Sequence, residues 1–331
     1  MHAARRTDPL APGSVSLRLY PHPELPAPAL VEEFVAQARL AVASGFAGTM
    51  VSEHHNGFAG YLPNPVQAAG WVLEATTDGW AAPCPLLLPL RPTALVAEEL
   101  AWMAARFPGR VAAGVAAGSR EEEFALMGTT AEHLPERFGA ALAELSAMLL
   151  GGRPGALAGD PAVARCAEAP IPLVSAAMSP AAVRRAAAAG VGLVLDSLTE
   201  PGRCRALTDA YVEAGGRGPV VLVRRVWMGT PPAALEERQL ERYRGYAPPR
   251  ATAHWGDGEM AGGDDPGTVA RHLADAAEAV GADCLNLRVH APGLGPRMIR
   301  DQITALAPVC DALHATWSGS GPGTRPWPKN D

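Results

Sequence analysis

"IPLVSAAMSPAAVRRAAAAGVGLVLDS", residues 171–197, holds a complete β–α–β unit. "IPLVSAA" and "VGLVLDS" are short, nearly continuous apolar runs, as expected of strands buried on both faces of a parallel sheet. Between them Ser179 stands at an N-cap position, Pro180 opens a helix, and Gly190 closes it. Two parallel strands joined by one helix are the repeating piece of an α/β domain.

The same rhythm extends in both directions. Towards the N-terminus lie "SVSLRLY" (14–20), "GTMVSEH" (48–54), "AAPCPLLLPL" (81–90) and "RVAAGVAAG" (110–118), each followed by a helical pattern. Asn64 and Pro65 give one of those helices an N-cap and a first residue. Pro83 and Pro85 cannot both sit in a regular central strand, so the third strand is expected to bulge. Towards the C-terminus come "GPVVLVRRVWM" (218–228) and "ADCLNLRVH" (282–290), the latter followed by one helical run over 295–316. No G-x-G-x-x-G follows the first strand, and eight such units predict a (β/α)8 barrel. The expected layout is a disordered lead-in (1–13), one barrel domain (14–315) and a disordered tail (316–331). The polar segment 229–265, between the seventh strand and its helix, is expected to be an insertion acting as a lid. The Pro/Gly/Ala-rich stretch 153–170 links the half-barrels.

Composition limits the function. With 331 residues, 48% hydrophobic, the chain can bury a large core. A net charge of −6 without a basic stripe argues against nucleic acid. No apolar run reaches the ~20 residues of a spanning helix, and the N-terminus lacks the apolar region of a secretory signal. The five cysteines, Cys84, Cys166, Cys204, Cys284 and Cys310, form no C-x-x-C and read as reduced thiols, so a cytoplasmic protein is expected.

In a barrel of this kind the chemistry gathers where strands end at their C-terminal side. There the chain offers His22, the run Glu53-His54-His55-Asn56, Cys84, Arg91, Gly118-Ser119, Ser175, Met178-Ser179, Asp196, Arg225, Trp227, Asn286, Arg288 and His290. Strand alternation sets Ser52 and His54 on one face and Val51 and Glu53 on the other. With apolar Val51 against the helices, His54 points to the mouth as an acid/base or donor candidate, and Glu53 braces the strand end. Arg225 and Arg288 can pair inside the barrel with Asp196 or Glu53, or meet a ligand. No metal is expected: His22, His54 and His290 could converge, but carboxylate ligands at strands five and six are too few. Tyr61, Trp227 and His290 are candidates for a substrate pocket.

"SEHH" (52–55), "PLLLPLRPTALVAEELAWMAARFPGRVAAGVAAGSREEEFALMG" (85–128) and "PLVSAAMSPAAVRRAAAAG" (172–190) together resemble the bacterial-luciferase-like flavin monooxygenases, over roughly 14–310. The resemblance implies a barrel, usually dimeric, that takes reduced FMN from a separate reductase and activates O2 to oxidise a small organic substrate. Other members use the deazaflavin F420 for hydride transfer. His54 would act at the flavin with Glu53 beside it. Cys84 and Leu86 of the bulge, Gly118, Ser119, Ser175, Met178 and Ser179 would hold the cofactor. Two anchors of the pattern are replaced. Ala117 stands where an arginine meets the phosphate, a contact worth ~1.5–3 kcal/mol. Ala176 stands in place of a polar residue. Arg225, Arg238 or Arg242 could take over that charge, and a barrel that has lost catalysis and serves as a flavin store or partner subunit is a further alternative.

Overall fold

The computed structural model describes residues 8–58, 60–246, 252–256, 260–319 and 321. Strands and helices alternate in chain order. They are β1 (Val15–Leu19), α1 (Ala27–Ala43), β2 (Gly48–Val51), α2 (Pro65–Ala75), β3 (Trp80–Pro83), β4 (Leu86–Leu87), α3 (Thr93–Arg106), β5 (Ala113–Ala116), α4 (Glu121–Leu126) and α5 (Leu134–Leu149). The second half holds α6 (Pro161–Arg165), β6 (Leu173–Ala176), α7 (Pro180–Ala188), β7 (Gly192–Leu195), α8 (Pro201–Glu213), β8 (Val220–Met228), α9 (Ala233–Tyr246), β9 (Met260–Gly263), α10 (Pro266–Val280), β10 (Cys284–Arg288), α11 (Pro296–Ala305) and α12 (Ala307–Thr316).

The strands are parallel and run around the barrel in the order β3-β2-β1-β10-β8-β7-β6-β5-β4. β3 and β4 are the two halves of the third strand: β3 pairs with β2, β4 with β5. Between them stands the expected bulge, with a cis peptide at Cys84–Pro85. A proline has no N–H for the ladder, so the strand changes partner there. Ala81 closes the ring, its N–H reaching Arg110 O at 3.0 Å while its own carbonyl accepts from Ala112 at 3.3 Å. The result is a nearly closed (β/α)8 barrel.

Two cores result from strand alternation. Leu17, Val51, Leu86, Val115, Leu173, Leu193, Leu222 and Leu287 face the helix ring with Phe34, Leu100, Leu142 and Ile303. Met50, Trp80, Ala82, Cys84, Val174, Val194, Val221 and Val223 fill the barrel itself. Trp80 occupies the floor, and a Cβ on neighbouring Gly48 would lie 2.2 Å from its ring. Only glycine lets that indole lie flat across the strand.

Helix ends follow their sequence signals. Asn64 accepts from Gln67 N–H, Ser179 from Ala182 N–H and Asp265 from Thr268 N–H, each with proline next in line. The last helical run, expected as one, is two helices, because Pro308 lacks the N–H and crowds the preceding turn.

The expected ends need correction. Residues 1–7 and 322–331 lie outside the described residues, but Asp8–Gly13 are packed. Leu10 is buried against the floor, and Gly13 N–H donates to Asp283 O at 2.8 Å. In the expected tail, Trp317 is buried too. Segment 153–170 is more than a link, since Asp160 caps α6 through two backbone N–H groups. Within 229–265, β9 extends the sheet in parallel with β8, pairing Arg225 with Met260. Further along the insertion, Trp255 bridges to Thr199 and Gly256 N–H donates to Leu198 O at 2.8 Å. Residues 247–251 and 257–259 of the insertion are outside the described part.

Candidate active site

Past β2 the chain leaves regular pairing and turns through Asn56 and Gly57, at φ of 56° and 64°. Asn and Gly tolerate this left-handed region best. The turn folds Phe58 and Tyr61 back onto His54, with ring centroids 4.8 and 4.5 Å away. Glu53, facing away from His54, is fully engaged. It accepts from Leu87 N–H at 2.7 Å, from Arg91 at 2.6 Å, and pairs with His55 Nε2 at 2.8 Å. It thereby fastens β2 to the bulged third strand.

His54 has a second carboxylate of its own. Its Nδ1 lies 2.8 Å from Glu123 Oε1, which also accepts from His55 N–H at 2.9 Å. Burial pushes the Glu123 carboxyl up, but the hydrogen bonds from His54 and His55 and the charges of His54 and Arg120 outweigh it. Its pKa ends below the ordinary value. An ionised Glu123 holds the proton of His54 on Nδ1, which leaves Nε2 as the acceptor nitrogen of a side chain 19% exposed. Glu123 is 69 residues away in sequence and was not singled out there. The local signal was "REEEF" directly after strand four.

Inside the barrel, one rung carries three arginines on adjacent strands. Arg288 pairs in register with Arg225, and Arg18 follows Leu17, the partner of Leu287. Arg18 donates to Asn286 Oδ1 at 2.7 Å, to Cys84 O at 2.9 Å and to Ser52 Oγ. Arg288 donates to His290 O at 3.2 Å and lies over Tyr20 and Tyr243, 4.6 and 5.3 Å from the ring centroids. Neither Arg18 nor Arg288 has a carboxylate within salt-bridge distance among the described residues. Among the ion pairs of the described residues, none joins Arg225 or Arg288 to Asp196 or Glu53. Asp196 instead accepts from Leu198 and Thr199 N–H, closing the turn after β7. Burial lowers the pKa of Arg225, and nearby Glu236 of α9 opposes that shift.

Between the ends of β1 and β10 lies a cavity of about 170 Å³, lined by Tyr20, His22, Glu24, Arg242, Arg288 and His290 among others. Gln37 of α1 reaches both histidines, its Nε2 lying 2.7 Å from His22 Nε2 and its Oε1 3.2 Å from His290 Nε2. The amide therefore donates to His22 and accepts from His290. His22 Nδ1 then faces Glu24 at 3.1 Å. Burial, with the charges of His22 and Arg288, holds the His290 pKa well below its ordinary value. Of the expected pocket residues, His290 lines this cavity and Tyr61 bridges from it to His54, with Tyr20 5.4 Å away. Trp227 lines neither; it is buried beside Gly262 of β9.

The expected cofactor residues divide. Gly118, at φ 79°, turns the chain after β5, where a Cβ would touch Phe124 at 3.4 Å. Ser119 and Ser179 are exposed, Met178 half-buried, at the ends of β5 and β6. Ser179 already caps α7; Pro180 has no N–H and Val183 N–H donates to Ser179 O, so the first turn leaves Ala181 N–H for an anion. Cys84 faces the barrel interior, its pKa raised by burial. Leu86 and Ser175 need correction. Leu86 packs in the helix-facing core, and Ser175, between Val115 and Leu193 in register, turns the same way. Ala117 and Ala176 bring no charge to the rim. Arg120, missed in the sequence, does: its guanidinium sits 4.3 Å over the Phe58 ring, directly after Ser119. Arg238 is exposed on α9, whereas Arg242 belongs to the cavity on the other side. An anionic group thus finds backbone donors, two hydroxyls and one arginine, a set that fits a flavin phosphate without a dedicated salt bridge. Among the described residues no three His, Cys, Asp or Glu side chains are placed to hold a metal.

A parallel barrel with a carboxylate-held histidine and aromatic rings at its mouth belongs to the enzyme-bearing barrels. The sequence model of the luciferase-like monooxygenases matches residues 15–305, and the chain belongs to that family. Its fold is similar to that of the oxygenating constituent of 3,6-diketocamphane monooxygenase from Pseudomonas putida, a type II Baeyer-Villiger monooxygenase in complex with FMN. That likeness has a TM-score of 0.73 and 17% identity over 89% of this chain and 96% of that one. Monooxygenase RslO1 from Streptomyces bottropensis is similar at TM-score 0.71 and 17% identity, over 89% and 97% of the two chains. An F420-dependent secondary alcohol dehydrogenase, in complex with an F420-acetone adduct, is similar at 0.65 and 16%, over 88% and 98%. At these identities the likeness is one of fold. A comparison with curated proteins found no match. No described helix is long and apolar enough to cross a membrane.

Proposed function

We propose that this member of the family oxidises a small organic substrate with reduced FMN and O2. The observation that carries the reading is the His54–Glu123 pair, 2.8 Å apart under Phe58 and Tyr61. Bound reduced flavin would supply the electrons for O2 activation. Gly118, Ser119 and the first turn of α7 would bind its phosphate, with Ser179, Met178 and Arg120 beside them. His54 holds a proton on Nδ1 against Glu123 and presents Nε2 to the mouth, where it accepts or returns a proton at the reacting oxygen. Glu123 stabilises the charged imidazole that forms in doing so. Glu53 keeps the strand end in place without touching the reacting atoms. Phe58, Tyr61 and, from α9, Tyr243 exclude water; Tyr61 and Tyr243 hydroxyls lie 3.3 Å apart, so α9 acts as the lid. A separate reductase, a homodimer and a cytoplasmic setting complete the reading.

Anaerobic titration with reduced FMN, followed by mixing with air-saturated buffer, tests it. Saturable binding is expected. In His54→Ala the course of reoxidation of the bound flavin should change about a hundredfold or more, within the ~10²–10⁴ range of acid–base groups. Binding of reduced F420 in place of FMN would move the reading to hydride transfer. Binding of neither would leave a non-catalytic barrel, the reading favoured by Ala117 and Ala176.

A further inference from the structure

We propose that the cavity between β1 and β10 seats the carboxylate of the substrate, which is therefore a small organic acid, with Arg288 and Arg242 as its counter-ions. This rests on reading the barrel mouth as the site of oxidation. The cavity's volume, about 170 Å³, is comparable with the ~150 Å³ engineered cavity that holds benzene, the size of a compact acid or of the acid end of a larger molecule.

The charge balance is the first argument. Arg288 is 7% exposed and has no carboxylate within 4 Å among the described residues. A buried charge left without a counter-ion is costly. The Tyr20 and Tyr243 faces attract the guanidinium but do not neutralise it. Arg242 enters from α9 at the exposed rim. The acid in the lining, Glu24, is turned to His22 Nδ1 at 3.1 Å. A carboxylate from outside supplies the missing charge, and its two oxygens match the planar fork of an arginine.

Position is the second argument. Around the barrel β1 stands opposite β6, and β10 opposite β5. The cavity thus lies across the mouth from Gly118, Ser119 and Ser179, where a flavin phosphate would bind. Its anion is a different one. From the cavity, Tyr20 leads to Tyr61 and Tyr61 to His54, at centroid distances of 5.4 and 4.5 Å. An acid anchored at Arg288 extends its remaining atoms along these rings to the candidate acid/base group.

Isothermal titration of the flavin-free protein with benzoate, benzamide and benzenesulfonate tests the proposal. Benzoate should bind one to one, and benzamide, its neutral isostere, at least tenfold more weakly. Arg288→Met should weaken benzoate at least tenfold and Arg242→Gln several-fold. Arg242 is exposed, so its variant stays informative if Arg288→Met does not fold. Equal binding of benzoate and benzamide, or unchanged benzoate binding in Arg242→Gln and Arg288→Met, overturns the proposal. Tighter binding of benzenesulfonate overturns the carboxylate assignment in favour of a sulfonate. Reduced FMN titrated into the same samples separates the two readings. Loss of FMN binding with benzoate intact defeats only the flavin assignment, and loss of benzoate with FMN intact defeats only this one.

Discussion

The two sides of the barrel mouth treat charge in opposite ways. At the end of β2, every ionised group has a partner from the protein: Glu53 has Arg91, His55 and Leu87 N–H, and Glu123 has His54 and His55 N–H. At the ends of β1 and β10, Arg18 and Arg288 have, among the described residues, neutral acceptors and aromatic faces only. Saturated polar networks rigidify a site, because any motion leaves a buried group unpaired. An unbalanced charge does the reverse and raises the free energy of the empty state, which a ligand of opposite sign then lowers. The β2 side is built to hold a geometry, the β1–β10 side to receive something.

Four substitutions put that contrast under strain. Glu53→Ala should cost most, about 3–5 kcal/mol, because it strands a buried N–H and a part-buried arginine together. Urea unfolding would read it, and a loss under 1 kcal/mol would mean the network holds nothing. Arg288→Met should go the other way and raise stability by about 1–3 kcal/mol, since it replaces an unbalanced buried charge with a side chain of similar length. A destabilisation as large as that of Glu53→Ala would show both sides to be structural.

The third concerns acid. The folded pKa of His290 lies below its ordinary 6.5. Below that pH the unfolded chain takes up a proton that the folded chain refuses, so stability falls as pH falls. The slope is at most about 1.4 kcal/mol per pH unit for one group. His290→Gln should flatten the stability profile below pH 6.5, and an unchanged slope there would refute the assignment. The smallest effect belongs to Glu123→Gln. The Glu123 carboxyl sits below its ordinary 4.5, so its contribution is complete above that pH and is lost as pH falls through the folded value. Glutamine keeps an acceptor, so the variant should lie within about 1 kcal/mol of the parent at pH 7. The two should converge below pH 4.5, as followed by urea midpoints across pH.

The contrast also separates what a sequence reveals from what it hides. The βα alternation, the proline bulge at Pro83 and Pro85, and the Asn64 and Ser179 caps are local signals and could be read directly. The opposite facing of His54 and Glu53 follows from a period of two and needs no partner. Glu123 and Gln37 could not be read so, because their roles depend on contacts 69 and 253 residues away. Arg18 carries the same local signal as Arg225 and Arg288, a charge inside an apolar strand. The facing of Leu86 and Ser175 is hidden for a different reason. A strand that is apolar on both faces shows no alternation, so "PLVSAAM" does not say which way its serine turns. β9 was missed because "MAGG" has almost no strand propensity and forms only against β8.

Gln37 gives the mouth an arrow. Its amide nitrogen also donates to Glu33 Oε1 at 2.8 Å, and the other oxygen of Glu33 pairs with Arg300 of α11 on the outer surface. The amide is thus oriented from outside the barrel, and with it the sense in which protons are arranged on two histidines of an inner wall. Reversing that amide would exchange donor for acceptor at both rings without moving a strand. The handedness of the cavity's polarity is therefore kept by a clasp between two helices that no ligand in the mouth would touch.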